Sequence, residues 1–451
     1  MTVTGFNMPF GGNLRADNRW VKLSEMMPWD MIEDIYLESM HETEGAPALN
    51  SRIAYGSQYI KENENLTDRG TVEYIAENPY AQYFLGLTEF VDTPLFDPSM
   101  MVYFRKRFPA NKVKEINKQL FATGKSEESD DDPPKPNKGK MVLDATCAPA
   151  DIRYPSDLSL LNEARENTEE IIEELWEYGS KRGHKTCYNR KKARSEYLSI
   201  AKQKKPGIKK IRAAIQTQLV YVTGNIETIG KLLLETGLGV LREKRITRIM
   251  TVCELIRQQK EMLQNENHTV KDRIVSLRQP HVRPIVRGKA GKKYEFGQKI
   301  SFSVIDGYTF IERQSFDNFN EGVTLIESVE RYKRDYGFYP EVVQADQIYR
   351  NRDNLAYCKK NGIRLSGPKL GRPGKSAEAD REVAYRDHCE RNIVEGRIGM
   401  AKRRFGLDLI MAYLPDTSMT EAAFQVLCMN ARIRLLWRLF FRRWFFKRVF
   451  A

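Results

Sequence analysis

Apolar residues return every three or four positions along most of the first 121 residues, where Trp20, Met26, Met27, Trp29 and Ile32 open an aromatic-rich run of helical period. Short helices broken by turns are predicted. Ile53, Tyr55 and Tyr59 precede a turn at Glu62 to Leu66, after which Thr67 or Asp68 can cap a helix carrying Val72, Tyr74 and Ile75, and Pro79 suits the first turn of the next. An all-helical N-terminal domain is therefore expected over 1–122, ending near the basic run FRKRF at Phe104 to Phe108. A helix-turn-helix arrangement and an ordinary bundle with the aromatics as core both fit. Between Gly124 and Lys140, GKSEESDDDPPKPNKGK has almost no apolar residue to bury, so 123–140 is expected to be an acidic, Pro-rich linker.

Past the linker the period changes. Met141 to Thr146 (MVLDAT) is a short apolar run with one acid, which reads as a buried strand. A long helical insertion follows over about 160–275, with Ile208, Ile211, Ile215, Leu219, Val222, Ile226, Ile229 and Leu233 forming a core stripe or a seam between subunits. Strand signals then resume. Ile300, Phe302 and Val304 alternate with serines, Asp306-Gly307 supplies a tight hairpin turn, and Tyr308, Phe310 and Ile311 start the return. A helix around Val323 to Tyr332, a strand Val342 to Asp346, a helix, a short strand at Ile363 to Leu365 and a long helix complete the pattern. The expected fold is a mixed α/β sheet over 141–416, interrupted by helices and followed by a basic amphipathic helix over 417–451.

Charge narrows the partners. The chain has 73 Lys+Arg against 60 Asp+Glu, a net charge of +13, which favours a polyanion and nucleic acid in particular. Between Lys181 and Arg212 thirteen cations, among them Lys191, Lys192 and Arg194, face one acid, Glu196. That imbalance suits DNA phosphate contacts better than an ordinary solvated helix face. The six cysteines form no CxxC pair, so neither a zinc site nor a disulfide framework is indicated and a reducing cytoplasm fits. Neither a secretion signal nor a membrane span is expected.

Candidate chemistry lies in carboxylates. Asp144 sits within one apolar strand and Asp346 at the end of another, and an unpaired buried carboxylate costs several kcal/mol, on the order of what a metal or basic partner must offset. From Asp387 to Leu407, DHCERNIVEGRIGMAKRRFGL, helical spacing puts Lys402, Glu395 and His388 within about 60° of Arg391. A charged solvent face would look similar. With two strand acids upstream, however, Glu395 can make a third hard-oxygen ligand for Mg²⁺, with Mn²⁺ able to substitute. Asp151 or Asp157, Asp353, and Asp387 or Glu390 are the neighbouring alternatives for the three positions. The basic, Gly/Pro-rich Ser366 to Lys375, with Lys369 and Arg372, is either a plain loop or a DNA approach beside the site.

Three motifs carry a resemblance: LDATCAPADIRYPSD from Leu143, VVQADQIYRNRDNLAYCKKNGIRLSGPKLGRP from Val342, and RNIVEGRIGMAKRRFGL from Arg391. Together with the helices from Trp20 to Arg107, they make the chain similar to bacterial insertion-sequence transposases of the Asp-Asp-Glu (DDE) class. Arg391, Glu395 and Lys402 fit the Tyr-x2-Arg-x3-Glu-x6-Lys signature of that class, and His388 stands where the signature has tyrosine. The resemblance implies a ribonuclease-H-like core, Asp144, Asp346 and Glu395 as metal-binding catalytic acids, and Arg391, Lys402 and His388 as DNA contacts, to which the charge pattern adds Lys191, Lys192, Arg194, Lys369 and Arg372. It also implies binding of terminal inverted repeats by the N-terminal helices, cleavage and strand transfer into target DNA, action as a homodimer or higher oligomer, and a bacterial cytoplasmic, nucleoid-associated location. A catalytically silent DNA-binding descendant and a non-transposing nuclease of the same core are the rival readings.

Overall fold

The computed structural model describes residues 6–8, 12–40, 48–122, 136–179, 189–286, 294–367 and 377–449. The chain divides into two compact units: Met1–Pro149 with Gln298–Ala451, and Ala150–Gly297. Most of the linker expected at 123–140 lies outside the described residues.

The first unit opens with helices Arg19–Met26 (α1), Trp29–Glu38 (α2), Ser51–Glu64 (α3), Asp68–Glu77 (α4), Pro79–Phe84 (α5), Met100–Arg107 (α6) and Ala110–Phe121 (α7). Their starts are written locally. Asn18, Asn50, Thr67 and Asn78 each accept a hydrogen bond from a first-turn amide, and Pro79 needs no amide partner.

The sheet follows. Strand β1 is Lys140–Pro149, and β2, Arg283–Val286, pairs with the first residues of β3, Tyr294–Ile305. Tyr308–Ser315 (β4) returns antiparallel on β3, and the turn between them has Asp306 at φ 49° and Gly307 at φ 82°. Two successive positive φ angles define the tight hairpin that Asp-Gly predicts. Strand β5, Val342–Gln344, lies parallel beside β1, and β6, Arg364–Leu365, parallel beside β5. Within this unit the order is β4-β3-β1-β5-β6, a curled mixed sheet of the kind expected.

Strand alternation sorts the side chains of this sheet between two cores. Met141, Leu143 and Val343 pack with Leu325, Val329, Tyr332 and Tyr336 of the helix or its lead-in. That helix spans Leu325–Tyr336. Val142 instead meets Val394 of the long helix Ala377–Phe405.

A larger core joins the N-terminal helices to the last helix, Pro415–Val449. Trp20, Tyr55, Tyr59, Phe84 and Phe108 share it with Phe424 and Leu427 of that helix and with Ile300, Phe302 and Ile311 of the hairpin. The segment read from sequence as a basic amphipathic helix is thus buried on successive positions from Ala422 to Ala431. Layers meet on it from both sides. Its Asn430 donates to Thr309 O (2.7 Å) and Asn117 Oδ1 (2.9 Å) and accepts from Thr309 N (2.9 Å), tying helix, hairpin and α7 at one point.

In the second unit, helices Asp157–Tyr178, Arg190–Ala201, Ile208–Thr236 and Glu243–Gln264 surround Leu158, Leu161, Ile215, Leu219, Val222 and Leu255. Ile215, Leu219, Val222 and Ile229 of the apolar stripe are buried within the chain, so this part of it is core, while Ile208 at its start is exposed. Among the described residues no helix is long and apolar enough to cross a membrane.

One buried cluster yields a pH test. Lys61 donates to Glu62 (2.7 Å) and stands 3.9 Å from Glu421, and Gln425 donates to Glu62 (3.1 Å). Burial pushes the Glu62 carboxyl up to about 7 from 4.5, against the pull of Lys61. The folded chain then holds a proton that the unfolded chain has lost, so this contribution is full below about 4.5 and disappears as pH rises through about 7. Across that window wild type should lose folding equilibrium relative to Glu62→Gln by up to about tenfold per pH unit, measured by chemical denaturation. Parallel pH profiles for the two proteins would contradict it.

Candidate active site

The pairing of β1 with β5 brings two acids together. Lys140 lies opposite Val342, Met141 opposite Val343 and Val142 opposite Gln344, and the same register carried two residues further sets Asp144 level with Asp346. Both belong to the side-chain set of Val142, the face that meets the helix Ala377–Phe405. Asp144 is the more enclosed and accepts the amide of Ala145 at 2.8 Å. Burial pushes its carboxyl up to about 6, the Ala145 bond opposes this, Asp346 and Glu321 raise it further, and Arg391 lowers it. Asp346 precedes the turn Gln347–Tyr349, to which its side chain makes no capping bond, and has a half-exposed side chain.

The helix is fastened to the sheet by a network that the sequence did not bring forward. Lys140, Gln344 and Arg364, from β1, β5 and β6, reach two acids of the helix. Arg364 donates to both Asp387 oxygens (2.5 and 2.8 Å), Gln344 Nε2 to Asp387 (3.1 Å) and Glu390 (2.7 Å), and Lys140 to Glu390 (2.8 Å). Burial would raise Asp387, but the bonds from Arg364 and Gln344 outweigh it and hold the carboxyl below its ordinary value. Lys140 first, then Gln344, lowers Glu390. Asp387 and Glu390, weighed as alternatives to Glu395, are thus committed to fastening. Gln344, a polar residue within VVQAD, was the one available signal, since a buried amide demands partners.

With the helix so held, Arg391 donates to Asp346 and lies 3.7 Å from Glu395. The structure therefore sets Asp144 on β1 and Asp346 two residues past the end of the adjoining β5, and connects Asp346 to Glu395 through a guanidinium. Among the described residues, no three His, Cys, Asp or Glu side chains are gathered closely enough to hold a metal ion. The donor set nevertheless suits one. It consists of carboxylate oxygens, one of them desolvated and destabilised by a second acid, and a hard divalent cation relieves that arrangement.

Of the other expected contacts, His388 is exposed and Lys402 half-buried on the same helix. Lys191, Lys192 and Arg194 are exposed on the helix Arg190–Ala201 in the second unit, whose Arg190 pairs with Glu173 (2.9 Å) and Glu169 (3.2 Å). Asp157 is paired within that unit to Arg273 (2.7 Å). Lys369 and Arg372 lie outside the described residues. Glu321 was missed by the sequence reading. It pairs with Lys299 (2.9 Å) and lies near enough in the fold to raise the Asp144 carboxyl.

Residues 343–432 match the family model described as a transposase DDE domain, a span that contains Asp346 and Glu395, and residues 10–107 match that of a transposase domain (DUF772). An uncharacterized protein, ORF8 in the nfe locus of Rhizobium meliloti, is 29% identical over 145 residues. The aligned region covers 31% of this chain and 66% of that protein, so the chain spans just under two thirds of the relative's length. No solved structure matches the chain. One transposase match falls on the N-terminal helices and the other on the segment that carries two of the acids, and together they support an insertion-sequence DDE transposase.

Proposed function

We propose that this protein cuts DNA at the ends of an insertion sequence and joins the freed ends to target DNA, with Asp144, Asp346 and Glu395 as its catalytic acids. The observation that carries the reading is the parallel register of β1 and β5, which continued two residues brings Asp144 level with Asp346, together with Arg391 linking Asp346 to Glu395. A divalent cation, Mg²⁺ with Mn²⁺ as substitute, held by these three carboxylates would neutralise the phosphodiester and activate the attacking oxygen. In-line displacement at phosphorus, first by water and then by the 3′-hydroxyl that cleavage leaves, needs alignment and charge neutralisation more than a covalent nucleophile. Arg391, Lys402 and His388 align the strand from one helix, and the fastening of that helix through Gln344 limits how far they can stray. Lys369 and Arg372, in the basic segment between the second and third acids, contact DNA.

The partner is double-stranded DNA, both terminal inverted repeats and target. Residues 10–107 bind the repeats, and Lys191, Lys192 and Arg194 grip phosphates. The protein works in the bacterial cytoplasm, on the nucleoid, as a homodimer or higher oligomer on its DNA.

Asp144→Asn, Asp346→Asn and Glu395→Gln should each keep binding of end DNA in gel-shift titrations while metal-dependent cleavage falls at least about a hundredfold. Cleavage at the wild-type rate in any of them would remove that acid from the site. Replacing Lys191, Lys192 and Arg194 together by alanine should weaken DNA binding and reduce the slope of log affinity against log salt by about three, one counterion per lost phosphate contact. An unaltered slope would exclude them from the interface.

A further inference from the structure

Arg391 stands in an unusual position for a residue whose task is to grip DNA. Its guanidinium is turned toward carboxylates, donating to Asp346 and approaching Glu395 at 3.7 Å, and only 16% of its side chain is exposed. The acids themselves are open, at 52% for Asp346 and 59% for Glu395. A planar fork with several donors can serve two carboxylates at once, which a lysine ammonium, a point charge on a flexible stem, does poorly. While both acids hold it, the fork is not presented to a phosphate. Without another cation at the acids, an approaching phosphodiester would also meet their uncompensated negative charge.

We propose that Arg391 is the resident counter-ion of the acid site, held by Asp346 and Glu395 in the metal-free protein and released to a DNA phosphate when a divalent cation takes over those carboxylates. The inference rests on the reading of Asp144, Asp346 and Glu395 as the metal ligands. It makes Arg391 a positioning residue before metal entry and a DNA contact after it. It also couples the two ligands. Metal binding must break the Arg391 pairs, which lowers metal affinity, and by reciprocity the metal strengthens the grip of Arg391 on phosphate.

The test uses the full-length protein without DNA and follows Mn²⁺ binding through the electron paramagnetic resonance signal of the free ion. Arg391→Gln should bind Mn²⁺ about three- to tenfold more tightly than wild type, the change expected when two partly exposed ion pairs no longer compete. Arg391→Lys is the discriminating variant. It keeps the positive charge but loses the two-acid bridge, so release from competition predicts tighter binding here too, whereas simple charge repulsion predicts wild-type affinity. Wild-type affinity in either variant, with Asp144→Asn weakened, overturns the hand-over alone and leaves the proposed site standing. If Asp144→Asn and Glu395→Gln both bind Mn²⁺ as wild type does, the carboxylates do not hold the metal and both proposals fall. Thermal melts of each variant without metal separate an affinity change from loss of fold.

Discussion

The parallel pairing of β1 with β5 is the constraint on which the candidate site depends. Because side chains alternate with a period of two, Asp144 and Asp346 share a face and a level only in the register that puts Val142 opposite Gln344. A slip of one residue would turn Asp346 into the core now filled by Val343 and Tyr332. That core enforces the register. Met141, Leu143 and Val343 are fully buried against the helix on the far face, and exposing them would cost roughly 2 kcal/mol for each side chain.

The same register also carries the helix that completes the site. Lys140, Gln344 and Arg364 come from three neighbouring strands and converge on Asp387 and Glu390, so the sheet edge acts as a template for one helix face. Each acid there has more than one charged or amide partner, which compensates its desolvation. The contrast with Asp144 is informative. Its hydrogen-bond partner is the Ala145 amide, two acids lie nearby, and its carboxyl rises where that of Asp387 falls. The two acids thus diverge by the company they keep, one fastened and one poised for a cation.

Around this site, the first unit is built from the outside inward onto one helix. The N-terminal helices, the hairpin and the long helix after Asp387 all contribute to the apolar cluster that surrounds Phe424 and Leu427. Asn430 and the Lys61–Glu62–Glu421–Gln425 group supply the polar matching within it, so docking of these layers is directional as well as hydrophobic. The second unit has its own core between Asp157–Tyr178 and Ile208–Thr236, and it keeps the basic residues of Arg190–Ala201 on its surface.

Local signals in the chain determined a good deal. The helix start at Thr67, Pro79 in the first turn of the next helix, the Asp306-Gly307 hairpin, the strands before Asp144 and Asp346, and the helix bearing Glu395 all follow from capping chemistry, turn chemistry and hydrophobic period, which act over a few residues. The acids could be picked out because a carboxylate in an apolar strand is costly wherever the strand goes. What only the tertiary structure decided involves partners far apart in sequence. Whether the stripe after Ile208 was core or seam, that Ala422 to Ala431 of the last helix are buried, that Asp387 and Glu390 are fasteners, and that Glu321 lies near enough to raise the Asp144 carboxyl all depend on surfaces that meet only after folding. A charged residue on a helix face looks the same in sequence whether water, a lysine or an arginine will face it, and Arg391 between Asp346 and Glu395 is the case where that difference matters most.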